Sequence, residues 1–223
     1  MPGTVCGSET LNLNLNGRVG LFGGTFNPVH NAHVLVAQQA LEHCGLSHIV
    51  FVPVGIHPVA KDEATAEMED RYQMVLAAIR NEPRMSVSRI EMEREGPSYT
   101  IDTIRALKDD YAEGICFIVG ADLLLAIDTW KEPEALLRSV PFVVAPRAGV
   151  DVGKFTESPF DEASIVLLDM DEVCLSSTGV REAMRRGETI EELVPAEVAR
   201  YIEEHRLYRE ASARTANRDR RLE

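Results

Sequence analysis

The chain has 223 residues, a formal net charge of −13 and 45% hydrophobic residues. Its size suits one large α/β domain, and its acidity argues against a dedicated nucleic-acid binder, which should be basic. No stretch approaches the ~18 apolar residues of a membrane helix, and the start lacks the basic and apolar regions of a signal peptide. We therefore expect a cytoplasmic protein without nucleic-acid or membrane partners.

Domain boundaries follow from the distribution of apolar residues. We expect residues 1–17 to form a disordered or peripheral leader, residues 18–208 the folded domain, and residues 209–223 a frayed tail. The tail combines few apolar residues with Arg209, Arg214, Arg218, Arg220 and Arg221. None of the cysteines belongs to a C-x-x-C pair, so we predict buried free thiols at Cys6, Cys44, Cys116 and Cys174.

Apolar runs and helical periodicity alternate from residue 18 onward. The runs predict strands over 18–22, 48–54, 85–90, 115–119, 140–145 and 164–168. Between and after them, helices are predicted over 31–45, up to about 81, from Thr100 onward with Thr100 as its cap, over 123–127 and 132–138, up to about 187 and up to about 205. Residues 146–163 read as a loop. Such alternation is typical of an α/β protein with a doubly wound, mostly parallel sheet in three layers.

The stretch 19–33 reads as a strand, a glycine turn, a proline-bounded loop and a helix start. Gly23 and Gly24 allow a sharp turn and a close approach of a ligand to the main chain. A strand, a glycine turn and a helix present backbone N–H groups to a phosphate, so we interpret this stretch as a nucleotide-phosphate site. The dinucleotide fingerprint and the P-loop are both absent, and a tight turn without a ligand explains the glycines equally well.

Two histidines, His30 and His33, stand where the first helix should begin. As donors facing a phosphate they would add to the helix dipole and the main-chain amides. A structural capping pair is the alternative. Zinc ligation needs further ligands, and the chain has no H-E-x-x-H motif and no cysteine pair, so we expect no metal site built from protein ligands.

A second candidate anion site opens the helix after the last strand. Ser176, Ser177 and Thr178 supply hydroxyl and N–H donors there, and Arg181 one turn later supplies a planar charged fork. An ordinary N-cap run with a solvated arginine is the alternative. Two such sites in one α/β chain favour the anion interpretation, in which a triphosphate lies between two helix starts.

Three further residues have a functional and a structural reading. Asp122, just past a buried strand, is placed to accept hydrogen bonds from ribose hydroxyls, or it is an acid at a helix start. Trp130, the only tryptophan, is a core residue or stacks on a ligand ring. Lys61 is a surface lysine or a phosphate ligand, and the sequence leaves both open.

Together these motifs resemble the bacterial nicotinate-mononucleotide adenylyltransferases of the nucleotidyltransferase α/β superfamily. Residues 23–33 look like the superfamily's glycine-rich loop with its histidine pair, and residues 175–181 look like its I-S-S-T-x-x-R signature. Segments similar to those of the subfamily lie at 98–103, 117–122, 129–130 and 193–202. The resemblance implies a Rossmann-like nucleotidyltransferase fold over 18–208 and adenylyl transfer from ATP, with Mg²⁺, to nicotinate mononucleotide.

The resemblance also implies roles for individual residues. The nucleotide would be bound at Gly23, Gly24, Thr25, Phe26, Gly120, Asp122, Ser176, Ser177 and Thr178. The phosphates would be stabilised by His30, His33 and Arg181. The acceptor would be bound at Lys61, Tyr99, Thr100, Trp130 and Arg147, with Trp130 stacking on the pyridine ring and the main-chain amides of Tyr99 and Thr100 meeting its carboxylate.

The chain departs from the family pattern at Ala32, where glycine is usual, and around Lys61 and Arg147, whose registers are shifted. One alternative keeps the fold and changes the acceptor to nicotinamide mononucleotide, pantetheine phosphate or a cytidylyltransferase substrate. Another is a nucleotide-binding regulator that has lost catalysis. The sequence leaves open whether the chain forms a homo-oligomer.

Overall fold

The computed structural model of the chain describes residues 13–58, 66–172 and 174–208. Six strands form one sheet in the order β3-β2-β1-β4-β5-β6. The strands are β1 (Val19–Gly24), β2 (His48–Pro53), β3 (Met85–Val87), β4 (Ile115–Gly120), β5 (Phe142–Ala145) and β6 (Ile165–Leu167). The predicted α/β class with a doubly wound parallel sheet is confirmed.

Helices connect successive strands in the described part of the chain. They are α1 (Asn31–His43), α2 (Met68–Ala78), α3 (Thr100–Leu107), α4 (Ala121–Leu125), α5 (Pro133–Ser139), α6 (Ser177–Arg185) and α7 (Ala196–Glu204). Short 3₁₀ helices lie at Ile127–Thr129 and Val152–Thr156, the second of them within the predicted 146–163 loop. None of these helices is long and apolar enough to cross a membrane.

The central strands are the apolar runs of the sequence. β4 is buried from Ile115 to Val119, and it pairs in parallel with β1 on one side and β5 on the other. Phe117 lies between Leu21 and Phe142 in these pairings. A strand with neighbours on both sides and helices over both faces must be apolar throughout, which is why the run carries no alternation.

Some predicted boundaries are wrong. β1 continues through Gly23 and Gly24, past the predicted end at 22, because its main chain still pairs there: the Val54 N–H donates to the Gly24 carbonyl oxygen at 2.9 Å. Thr100 is not the cap of α3. That position belongs to Tyr99, whose extended backbone precedes the helix and whose side chain makes no capping hydrogen bond.

Two compact units can be distinguished along the chain. The first comprises Met1–Phe22, Gln38–Ile49 and Tyr99–Val173, and the second comprises Gly23–Ala37, Val50–Ser98 and Cys174–Glu223. In the first, Phe117 packs edge-on against Phe142 and Trp130. In the second, Phe26 packs against Phe51, and α2 packs against α7.

The cysteine prediction holds for two of the three cysteines that the structure describes. Cys44 and Cys116 are buried free thiols, and burial raises the pKa of Cys116 to about 12, so its thiol is inert at neutral pH. Cys174 is exposed, contrary to the prediction, because it lies in the connection between β6 and α6, and connections run over the surface. Cys6 lies outside the described residues.

Backbone segments approach closely just after β2. The Gly55 N–H donates to Ser98 Oγ at 3.2 Å, and a Cβ at Gly55 would overlap the backbone carbonyl oxygen of Glu91. A backbone atom cannot move aside as the end of a flexible side chain can. Gly55 is therefore required by packing at this point.

Gly55→Ala is expected to lower the free energy of unfolding by about 1–3 kcal/mol, the cost of overpacking. The matched control is Gly179→Ala in α6, where a new Cβ would meet only Ser176 Oγ at 3.4 Å. Urea denaturation measures both variants, and the control should be neutral or gain up to about 1 kcal/mol of helix propensity. Equal stability of Gly55→Ala and the wild type would contradict the packing argument.

Candidate active site

Residues 24–30, which are the last residue of β1 and the connection to α1, form a compact loop whose side chains are mostly buried. Phe26 has a left-handed backbone with a φ of 49° and a side chain only 1% exposed. Its ring packs against Phe51 of β2 and meets the edge of His33. The left-handed backbone at Phe26 thus allows the Phe26 ring to pack in the interior, where it contacts Phe51 and His33.

Two buried arginines donate to main-chain carbonyl oxygens of this 24–30 loop. Arg71 Nη1 donates to the Thr25 carbonyl oxygen at 2.9 Å, and Arg181 Nη1 donates to the Asn27 carbonyl oxygen at 2.8 Å. Arg71 is 4% exposed and Arg181 is 8% exposed. Since arginine stays protonated in proteins, the loop rests on two permanent positive charges.

A serine hydroxyl also donates to a main-chain carbonyl oxygen of this loop. Ser177 Oγ donates to the Pro28 carbonyl oxygen at 2.9 Å. In a trans peptide unit the N–H points away from the C=O of the preceding residue. These hydrogen bonds therefore turn the amide of Phe26 away from Arg71 and the amide of Val29 away from Ser177.

Arg71 was not predicted from the sequence. It belongs to α2, where it shares the buried face with Met74 and Val75 at a spacing of three and four residues. Burial is the main influence on its pKa, which is lowered, while Tyr208 and Glu67 act in the opposite direction. A charged residue on the apolar face of a helix was the available signal, because a buried charge needs partners.

The two histidines form a stacked pair. Their ring centroids are 3.7 Å apart with an interplanar angle of 25°. The backbone N–H of His30 donates to His33 Nδ1 at 3.2 Å, so a neutral His33 carries its proton on Nε2. His30 is 2% exposed, whereas His33 is only half-buried. His33 is therefore the more accessible donor of the pair.

The start of α6 has the N-cap of the structural alternative but not its solvated arginine. Ser176 is the N-cap, and its Oγ accepts the Gly179 N–H at 3.1 Å. Arg181 is not the solvated arginine of the structural alternative, because its second Nη donates to Thr178 Oγ1 at 3.3 Å. The two candidate anion sites of the sequence, residues 23–33 and 176–181, thus lie together in the second unit.

Asn27 and Asn31 are further polar residues that the sequence reading missed. Asn27 Oδ1 accepts the Ala66 N–H at 3.0 Å and the Tyr208 hydroxyl at 2.8 Å. Asn31 donates through Nδ2 to the Glu192 carbonyl oxygen at 2.9 Å. The loop and the start of α1 are therefore tied to segments far along the chain.

The first unit holds a second group of predicted residues at the ends of β4 and β5. Gly120 pairs with Ala145 in the sheet, which brings the following residues close: Arg147 Nε lies 3.6 Å from Asp122 Oδ1. A Cβ at Gly120 would fall 2.7 Å from the same carboxylate oxygen. Gly120, Asp122 and Arg147 therefore form one polar corner, despite the shifted register of Arg147.

Around the start of α3, the first unit places a lysine beside an aromatic ring. Lys131 Nζ lies 4.8 Å from the ring centroid of Tyr99 and 2.8 Å from Asp102 Oδ2. Trp130 is half-buried, with its ring edge against Phe117 of the core at 6.4 Å between centroids. The part of the Trp130 side chain that contacts Phe117 thus agrees with the prediction of a core residue. Lys61 lies outside the described residues.

Comparisons with known proteins agree with this arrangement. The cytidylyltransferase-like family model matches residues 21–183. A protein of Halalkalibacterium halodurans named a probable nicotinate-nucleotide adenylyltransferase is 41% identical over 199 residues, covering 88% of this chain and 94% of that protein. A protein of the same name from Rubrobacter xylanophilus is 39% identical, covering 89% of this chain and 95% of that protein.

The chain belongs to the nicotinate-nucleotide adenylyltransferase family. Its fold also matches the Plasmodium falciparum nicotinic acid mononucleotide adenylyltransferase complexed with NaAD, with a TM-score of 0.72, 20% identity, and coverage of 86% of this chain and 98% of that one. As a member of the nicotinate-nucleotide adenylyltransferase family the chain is a nucleotidyltransferase, so the predicted enzyme class is confirmed. The alternative of a regulator without catalysis is set aside.

Proposed function

We propose that the chain transfers the adenylyl group of ATP to nicotinate mononucleotide, forming deamido-NAD and pyrophosphate. The observation that carries the proposal is the 24–30 loop, whose carbonyl oxygens are held by Arg71 and Arg181. The last residue of the loop, His30, donates its backbone N–H to the His33 imidazole. A loop with its carbonyl groups tied down and positive charge behind it is suited to an anion. The names of the relatives agree with a nicotinate nucleotide as acceptor.

The phosphates of ATP bind the face of this loop. The main chain at Gly23, Gly24, Thr25 and Phe26 provides the close approach that glycine allows, and Gly23, Gly24 and Thr25 are its accessible part. His33 donates from Nε2, and His30, stacked beneath it, holds its ring in place. Ser176, Ser177 and Thr178 supply the N-terminus of α6, and Arg181 adds charge from behind the loop.

The reaction is an in-line displacement at the α-phosphorus. An oxygen of the acceptor's 5′-phosphate forms the new P–O bond, and the bond to the bridging oxygen breaks, so that its electron pair leaves with pyrophosphate. A phosphate dianion is already nucleophilic, and no side chain needs to form a covalent intermediate. Catalysis then rests on positioning the reactants and on donors aimed at the charge that develops in the transition state.

On the family resemblance we propose that Mg²⁺ enters with ATP, held largely by the phosphate oxygens of ATP and by water. Among residues 13–58, 66–172 and 174–208, no three His, Cys, Asp or Glu side chains lie together as a ready set of metal ligands. When bound, the ion neutralises part of the phosphate charge. The chain's own contribution is the fixed positive charge of Arg71 and Arg181.

The first unit provides the groups that select the acceptor. Gly120, Asp122 and Arg147 form a polar corner suited to ribose hydroxyls and a phosphate. Tyr99, Thr100 and Trp130 provide the pyridine contacts, with main-chain amides for its carboxylate. The Lys131 ammonium beside Tyr99 is already paired with Asp102 Oδ2 at 2.8 Å, so the preference for the acid over the amide rests on those main-chain donors. We propose a contribution of Lys61 to the acceptor phosphate on the family resemblance alone.

The acceptor is tested by following pyrophosphate release from ATP and Mg²⁺ with each candidate acceptor. We expect turnover with nicotinate mononucleotide and at least tenfold lower kcat/KM with nicotinamide mononucleotide, a difference of about 1.4 kcal/mol in transition-state stabilisation. Pantetheine phosphate should give none. Equal use of the acid and the amide would contradict the role given to the carboxylate, and no release with any acceptor would contradict the proposed reaction.

The donor atom of His33 is tested by replacing it with two different amides. The amide nitrogen of His33→Gln reaches the place of Nε2, whereas that of His33→Asn reaches only the place of Nδ1. We expect His33→Asn and His33→Ala to lower kcat by ~10²–10³, the scale of one transition-state donor, and His33→Gln to lose clearly less. The control is His43→Gln at the exposed end of α1, which should keep the wild-type kcat. A smaller loss in His33→Asn than in His33→Gln would contradict the Nε2 assignment.

A further inference from the structure

A tyrosine beyond the last helix bonds to the 24–30 loop. Tyr208 follows α7, and its hydroxyl donates to Asn27 Oδ1 at 2.8 Å, a contact that spans 181 residues of sequence. We propose that Tyr208 is a positioning residue of the enzyme, which holds the loop in its reactive shape through the Asn27 side chain. The proposal rests on the proposed function, because it assigns to this loop the binding of the ATP phosphates.

The backbone after α7 is shaped to deliver this hydroxyl. Arg206 and Tyr208 both have left-handed backbones, with φ values of 53° and 60°. The N–H of Leu207 donates back to the Ile202 carbonyl oxygen at 3.0 Å, which closes the turn at the helix end. Two left-handed non-glycine residues within three positions are uncommon, and here they reverse the chain and direct it back toward the loop.

Asn27 is the point where three parts of the second unit meet. It is 3% exposed, and its Oδ1 accepts from both the Tyr208 hydroxyl and the Ala66 N–H. Its main-chain carbonyl oxygen accepts from Arg181 at 2.8 Å. The Oδ1 atom has two lone pairs, and the Tyr208 hydroxyl and the Ala66 N–H occupy both of them. Loss of the Tyr208 hydroxyl leaves a buried acceptor half satisfied, and the side chain shifts to compensate.

The hydroxyl of Tyr208 is a permanent donor. Burial raises its pKa well above the usual value, and this outweighs the opposite influence of Arg181 and Arg71. Asp70 of α2 acts in the same direction as burial and raises the pKa further. The hydroxyl therefore stays protonated at neutral and mildly alkaline pH, and its hydrogen bond to Asn27 persists throughout that range.

The effect on the reaction follows from the position of Asn27. Along the chain it lies between Thr25, which Arg71 holds, and the histidine pair, so its movement displaces the loop residues assigned to the phosphates. Displacements below 1 Å are enough to slow an in-line transfer, because the reacting atoms must be aligned. A group that acts in this way changes kcat more than the binding of either substrate.

The test compares two tyrosine hydroxyls near the end of the chain. Tyr208→Phe removes the hydrogen bond to Asn27, whereas Tyr201→Phe removes a hydrogen bond of similar length, 2.9 Å, from the end of the chain to Asp70 on α2. We expect Tyr208→Phe to lower kcat about tenfold with both KM values within about twofold, the scale of one hydrogen bond to a buried group. Tyr201→Phe should keep the wild-type kcat. Equal kcat in both variants would overturn the proposal.

A second measurement does not depend on activity. Amide hydrogen exchange over residues 24–30 should quicken in Tyr208→Phe and stay unchanged in Tyr201→Phe, with exchange in β4 unchanged in both. If the wild-type enzyme showed no turnover, the proposed function would fail, and the exchange result would still decide whether Tyr208 holds the loop. Unchanged exchange over 24–30 in Tyr208→Phe, or quickened exchange in β4 as well, would overturn the positioning role.

Discussion

Two buried guanidinium groups hold the main chain of the 24–30 loop, and the rest of the candidate site depends on them. Arg71 comes from α2 and Arg181 from α6, and each donates to a loop carbonyl oxygen. A buried charge without partners would be costly, so the loop and the arginines stabilise each other. The Arg71 contact turns the Phe26 amide away from the guanidinium, and both arginines place positive charge beside the loop. One set of hydrogen bonds thus accounts for the shape of the loop and for its suitability to an anion.

The strands and the glycine loop were predictable because their signals are local. β2 and β4 are continuous apolar runs, and the loop is marked by two glycines and a proline within the first 30 residues. The partners of the loop were not predictable in the same way. Arg71, Arg181 and Tyr208 stand 46, 154 and 181 residues from the loop residues to which they donate. Only the fold brings such groups together, and no spacing in the sequence encodes their distance.

The start of α6 shows why the alternatives at a helix start are hard to separate from the sequence. Ser176 acts as an ordinary N-cap, as the structural reading required. Ser177 and Arg181 instead donate to the loop after β1, which neither reading contained. Hydroxyl and guanidinium donors serve a carbonyl oxygen as well as a phosphate oxygen, because both are hydrogen-bond acceptors. The residue types therefore indicated that hydrogen-bond donors are present at this helix start, and only the structure shows which acceptors they bind.

We propose that the ATP phosphates bind at the 24–30 loop, whose carbonyl oxygens are held by the arginines. A crystal structure with a non-hydrolysable ATP analogue tests this binding site. We expect a phosphate oxygen within about 2.7–3.1 Å of a main-chain amide of the 24–30 loop or of His33 Nε2, with Arg71 still bonded to the Thr25 carbonyl oxygen. Phosphates bound away from residues 23–33, or a Thr25 carbonyl group turned away from Arg71, would contradict it.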